Sequence, residues 1–230
     1  MSKLTVCLFL IVVHFQCITA AQEINQYDAA GKRHGVWQKT YESSKQLRYT
    51  GSFNHGKEIG VFKFYDSSGG HPTAIKEYTT DSPFVDVTFY TTEGKKVSSG
   101  KMKNRKRQGE WLSYHQDGST IMIKEQYKNG LLDGQRNVFF ISGLPALVEQ
   151  YVDGNKKGKA ITYTEEGKVL KSVTYKQDKL EGPAIFYNGY GEKEVAGNYK
   201  NNRKHGLWKY YKNGQVDKEI KYPRNKIGVQ

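Results

Sequence analysis

The chain has 230 residues, 36 lysines and arginines against 23 acids, and only 37% hydrophobic residues. That is room for one or two domains with little core-forming material, which disfavours helical bundles and large enzymes. Its 24 glycines and 17 tyrosines point to many turns and half-buried aromatic strands, and 13% aromatic content is too rich for a disordered chain.

The first segment is expected to be a leader. Lys3 precedes an apolar run from Leu4 to Val13, followed by small residues at Thr19, Ala20 and Ala21. This is the layout of a secretory signal peptide over residues 1–21, cleaved after Ala20 or Ala21. The run is about half of the roughly 20 residues that cross a hydrocarbon core. His14, Phe15 and Gln16 ahead of Cys17 do not suit lipidation. Both cysteines, Cys7 and Cys17, fall inside the leader, so the exported chain is expected to lack disulfides and thiolate metal sites. Losing Lys3 takes the formal charge from +13 to +12, which favours acidic or anionic partners.

Residues 22–230 read as one repeat domain with no internal linker. Anchors at Gly35, Gly60, Val85, Gly109, Gly134, Gly158, Gly182 and Gly206 are spaced 24 or 25 residues apart, the signature of a repeat architecture. Five positions after the anchor comes an aromatic in all units but the first, as in Tyr65, Tyr90, Tyr114 and Tyr211, and nine positions after it there is commonly a turn glycine. A second aromatic closes most units: Tyr49, Tyr78, Tyr127, Tyr151, Tyr175, Tyr199 and Tyr222, with Met102 in the third. Asn129-Gly130 and Asp153-Gly154 then supply the positive φ of tight hairpin turns. Each unit is therefore strand, turn, strand, turn.

Positions two and four after the anchor hold Phe62 and Phe64, Val87 and Phe89, Ala184 and Phe186, or Trp208 and Tyr210. Polar residues lie between them, which predicts one apolar and one solvated face. The aromatic at five breaks this alternation and is expected to cap the strand. A lone hairpin is marginal, so the expected fold is all-β: an elongated single-layer antiparallel sheet of about eight consecutive 24-residue hairpins. The third unit departs most, with Asp81-Ser82-Pro83 at its turn and Val85 for the anchor glycine, and is where bending or interrupted pairing is expected. Residues 22–26 and the tail after Tyr222 are expected to be loose ends.

The segments Tyr199 to Gly214 and Tyr27 to Trp37 resemble the MORN repeat in its bacterial variant form, a likeness covering essentially all of the exported chain. His precedes the anchor only at His34 and His205; Ile59, Gln108, Asp133, Lys157 and Glu181 stand there in other units. The resemblance implies an elongated hairpin sheet serving as scaffold or interaction surface. Bacterial members are often labelled antitoxins, a label that export of this chain argues against.

No catalytic, cofactor or metal site is expected. His34, His55, His71, His115 and His205 are scattered over different units with no zinc-like spacing. Gly154 to Lys159 lacks the glycine spacing and Gly-Lys-Ser/Thr ending of a phosphate loop. The acids Asp117, Asp133, Asp153, Glu165 and Glu166 read as solvated turns rather than a calcium loop.

The stronger signal is basic clustering in one repeat phase: Lys101, Lys103, Arg105, Lys106 and Arg107; Lys156 and Lys157; Lys200, Arg203 and Lys204. Stacked units would align these as a broken cationic ridge for an anionic ligand, or as edge protection against aggregation. Trp37, Trp111 and Trp208 are candidate anchors for a protein partner. The leading expectation is a non-catalytic exported scaffold in the cell envelope, binding a protein partner or its own copy. The alternatives are a binder of lipid head groups or phosphorylated glycans, and an immunity-like inhibitor. Export disfavours nucleic acid.

Overall fold

The computed structural model describes residues 23–223. The expected leader, with Cys7 and Cys17, lies outside the described residues. Nineteen strands form one antiparallel sheet. They are β1 (Gln26–Tyr27), β2 (Arg33–Thr40), β3 (Leu47–Asn54), β4 (Lys57–Phe64), β5 (Ala74–Tyr78), β6 (Val85–Tyr90) and β7 (Lys96–Lys103). There follow β8 (Lys106–Tyr114), β9 (Ile121–Lys128), β10 (Leu131–Leu132), β11 (Gly134–Phe139), β12 (Pro145–Val152) and β13 (Asn155–Lys156). The last six are β14 (Gly158–Tyr163), β15 (Val169–Lys176), β16 (Lys179–Tyr187), β17 (Lys193–Lys200), β18 (Arg203–Lys212) and β19 (Gln215–Tyr222).

Strands adjacent in the chain are adjacent in the sheet, so the fold is the expected succession of hairpins, all-β and open. β10 and β11 both pair with β9, and β13 and β14 with β12: each is one strand interrupted before its anchor glycine.

The anchor glycine marks an irregularity in the ladder. Between Ser52↔Ile59 and Thr50↔Lys63, two steps along β3 match four along β4, and the extra residues surround Gly60 at φ 65°. The same occurs at Gly206, φ 70°, between β17 and β18. A Cβ at either glycine would meet nothing within 4 Å. The left-handed backbone of the bulge, rather than crowding, is what requires glycine.

The third unit shows the converse. β5 and β6 pair over five rungs without a shift, and Val85 has no positive φ. Interruption expected here does not occur: the bulge is absent, and with it the need for glycine. Gly206→Val is therefore expected to cost about 1–2 kcal/mol and Val85→Gly only about 0.5–1 kcal/mol, compared by urea denaturation.

A second bulge separates positions four and five after the anchor, as between Phe89 and Tyr90 or Tyr210 and Tyr211. It is why the aromatic at five leaves the alternation.

The core is one column of side chains crossing the sheet. Position two after the anchor supplies Phe62, Val87, Trp111, Ala160, Ala184 and Trp208, all buried. The residue two before the closing aromatic faces it, giving Val87↔Gly100, Ala160↔Val173 and Ala184↔Gly197. Added Cβ atoms at Gly51, Gly100 and Gly197 would lie 2.3, 2.5 and 2.3 Å from the rings of Phe62, Trp111 and Trp208. Each of these rings therefore lies flat on a glycine of the preceding strand. The first unit is closed by Phe53, which faces the anchor Gly35, and not by the expected Tyr49, which pairs with Lys39. Closing aromatics grip some of the rings edge-on: Phe53 and Tyr78 on Phe62 at 5.1 and 5.4 Å, and Tyr199 and Tyr222 on Trp208 at 5.1 and 6.3 Å.

The start of the domain is tied down, against the expectation of a loose end. Asn25 donates its backbone N–H to Val36 O, its side chain accepts from Gln38 N–H, and Trp37 Nε1 donates to Gln26 O.

Candidate functional site

The expected ridge divides into cations that face rings and cations that face water. The residue two before each anchor points to the ring face, and three ridge members sit there. Arg107 Cζ is 4.3 Å from the Trp111 ring and 5.2 Å from Tyr127. Lys204 Nζ is 4.3 Å from Trp208 and 5.4 Å from Tyr222, and donates to Tyr210 Oη at 3.0 Å. Lys156 lies 5.2 Å from Tyr175. Arg107, Lys156 and Lys204 thus cover the core with their stems and charge its rings, and leave the ridge for that reason. Arg33 does the same over Phe53, at 4.2 Å.

In the middle of the sheet the core column turns ionic. Arg136 stands where other units place a ring, valine or alanine. Its Nε donates to Glu125 at 3.0 Å and its Nη1 to Glu149 at 3.1 Å. Lys156 and Tyr151 also donate to Glu149, and Tyr127 donates to Glu125, with Arg107 3.8 Å from the same carboxylate. Glu149 is only 3% exposed. Burial pushes its carboxyl up, but Lys156, Tyr151 and Arg136 outweigh burial and hold it below the usual glutamate value. Five charges and two phenols therefore continue the core where apolar packing stops. Sequence inspection overlooked Glu125 and Glu149; the signal was available in their place two residues before Tyr127 and Tyr151, where other units carry Gly51, Gly100, Val173 or Gly197.

The rest of the ridge lies at the hairpin tips. Lys101 pairs with Asp86 at 2.9 Å, and Lys103 Nζ lies 5.6 Å from the Phe84 ring. Arg105, Lys106, Lys157, Lys200 and Arg203 are exposed and make no ion pair among the described residues. Last rungs place like charges opposite each other: Lys103↔Lys106, Lys176↔Lys179 and Lys200↔Arg203. Such pairs are unfavourable by themselves.

Hydrogen bonds between units stack these tips along one edge: Gly130 N–H to Arg107 O, Gly154 to Leu132, Asp178 to Lys156 and Asn202 to Leu180. Side chains reinforce the stack, with Asp178 accepting from Lys156 N–H and Asn202 from Leu180 N–H. Tips without a like-charge rung, at Asn129-Gly130 (Lys128↔Leu131) and at the acidic Asp153-Gly154 (Val152↔Asn155), separate a station around Arg105 from one running from Lys176 to Arg203.

The tryptophans also divide. Trp111 and Trp208, 2% and 0% exposed, donate their indole N–H to Lys101 O and Asn198 O. They are core residues and offer no surface to a partner; Trp37 remains half-buried at the sheet end. The histidines serve turns: His55 Nδ1 meets Asp28 at 2.7 Å, His71 Nδ1 meets Pro72 O, and His115 Nε2 meets Phe139 O. No group of three or more His, Cys, Asp or Glu is placed to hold a metal among the described residues, and no helix there is long and apolar enough to cross a membrane. No family model matches this chain, and no curated protein matches it.

Proposed function

We propose that this chain is a non-catalytic, exported scaffold of the cell envelope that docks an acidic protein partner along the edge of hairpin tips, in the manner its MORN-like repeats imply. The observation that carries this reading is the set of like-charge rungs at the tips. Isolated, each such rung costs stability; an acidic ligand lying across them converts the repulsion into attraction. The tip stacking holds the cations in a line before any partner arrives, which lowers the ordering cost of binding.

The same edge supports a second reading, a binder of anionic envelope surfaces. Most tip cations are lysines, which meet any oxyanion as point charges without the bidentate geometry that selects a carboxylate.

The test is capture of envelope proteins from the chain's own source on the tagged exported domain, beside its variant with Arg105, Lys106, Lys157, Lys200 and Arg203 changed to Ser. At about 0.3–0.5 kcal/mol per exposed cation, the variant is expected to bind its partner at least roughly tenfold more weakly. Retention should also decline toward 0.5 M salt, where screening reaches only a few ångströms. Equal retention by the variant would refute the edge as the site. Binding to vesicles of anionic lipid with no retained protein would favour the second reading.

A further inference from the structure

Three asparagines in the chain precede a glycine: Asn129, Asn188 and Asn213. The pair is chemically unstable wherever the backbone can bring the glycine nitrogen onto the asparagine Cγ, because glycine neither crowds nor restricts that approach. Folding restrains two of them. Gly130 donates its N–H to Arg107 O at 2.9 Å as part of the tip stack, and the Asn129 N–H is held by Gln108 Oε1. Asn188 is held through its carboxamide: Oδ1 accepts from the N–H groups of Tyr190 and Glu192, at 3.0 and 2.9 Å, and Nδ2 donates to Glu192 Oε2.

Asn213-Gly214 has neither restraint. Turns on its edge of the sheet place their glycine nine positions after the anchor, where its N–H closes the turn on the residue three before, as Gly94 does on Thr91, Gly118 on His115 and Gly167 on Thr164. In the last unit the glycine comes one residue early, and only Asn213 and Gly214 remain beyond the Lys212↔Gln215 rung. Both have positive φ, 51° and 76°. Neither the Asn213 carboxamide nor the Gly214 N–H meets a partner among the described residues, and a Cβ on Gly214 would meet nothing within 4 Å. Among those residues no hairpin follows β19 to cover this tip.

We infer that Asn213 is a site of spontaneous deamidation that loosens the last strand. The Gly214 nitrogen gives its proton to solvent and attacks Asn213 Cγ. That N–C bond forms as the carboxamide C–N bond breaks, and ammonia leaves behind a five-membered succinimide. Water then opens either imide carbonyl, giving aspartate or isoaspartate with no change of oxidation state. Isoaspartate adds a backbone carbon to a two-residue turn, whose length sets the register of the strands it joins. The strand it releases is held weakly: β19 pairs on one side only, with Ile220 opposite Trp208 and Tyr222 against the same ring at 6.3 Å. Modification therefore uncovers Trp208 and ages the array from one end. The inference stands apart from the tip-edge reading, since Asn213 lies on the opposite edge and the test uses the purified chain alone.

The test is incubation of the purified exported domain at mildly alkaline pH, with conversion at each asparagine followed by peptide mass spectrometry beside the same chain in urea. Unfolded, the three pairs should convert at comparable rates. Folded, Asn129 and Asn188 should slow by at least roughly tenfold, the equivalent of the hydrogen bonds that must open first, and Asn213 should lead them by that margin. Hydrogen exchange should rise in β19 in step with isoaspartate and stay unchanged in β2 to β9. Asn213→Ser has no carboxamide, so its β19 should keep its protection throughout. Conversion at Asn129 or Asn188 as fast as at Asn213 in the folded chain, Asn213 slowed as much as they are, or β19 loosening equally in Asn213→Ser would overturn the inference.

Discussion

Trp208→Ala is expected to lower stability by about 3–5 kcal/mol, the range for deleting a fully buried large ring, read as a fall in the urea midpoint. Three features put it at the upper end. The ring is completely buried, its N–H satisfies Asn198 O at 3.0 Å, and Tyr199, Tyr222 and the Lys204 ammonium all rest on it. Gly197 tests the same contact from below. An alanine there places Cβ 2.3 Å from the indole, and overpacking of this kind costs about 1–3 kcal/mol or more. The two changes should not add: with the ring gone, Gly197→Ala meets no clash, and its cost should nearly vanish in the double variant. Because each unit leans only on its neighbours, the damage is expected to loosen the last units before the first, broadening the transition. A loss under about 1 kcal/mol would show that the ring does not hold this end together.

Arg136→Ala is expected to be comparably damaging, by about 3–5 kcal/mol, because it strands buried carboxylates rather than merely removing a contact. Glu149 would keep Lys156 and Tyr151 but lose the guanidinium it shares with Glu125. The chain supplies its own remedy. One unit on, Ala160↔Val173 occupies the same column with no charge, so Arg136→Ala combined with Glu149→Val should recover most of the loss. Failure of that rescue would mean the ionic segment contributes more than a filled column.

The same cluster sets a pH dependence. The Glu149 pKa is held below its ordinary value, so its contribution is fully present above the unfolded-state pKa of about 4.3. It is lost as pH falls through the lower folded value. Acid titration of stability should therefore steepen below about pH 4.3, and Glu149→Gln, which cannot titrate, should flatten that limb. An unchanged limb would refute the assignment.

Much of the architecture was legible from residue order. Repeats of 24 or 25 residues, Asn-Gly and Asp-Gly turns, and alternation at positions two and four are local patterns. In a sheet where each hairpin pairs with the next, local patterns are enough to set strand order. What was not legible depended on the neighbouring unit. The anchor glycines exist for a bulge, which appears only once two strands are in register; Val85 is tolerated because β5 and β6 run without one. The ridge was visible as charge, yet whether a cation faces water or a ring turns on what the next strand offers. Arg107 finds Trp111 and Tyr127, while Lys106, one residue earlier, faces outward and finds neither.

By itself, then, the sequence determined the period, the hairpins and the excess of positive charge, because these follow from turn chemistry and composition. Tertiary structure alone decided which tryptophans are core, which cations remain free at the tips, and where the column becomes ionic. Burial on a single-layer sheet is assembled from side chains of successive strands, so no strand determines its own exposure.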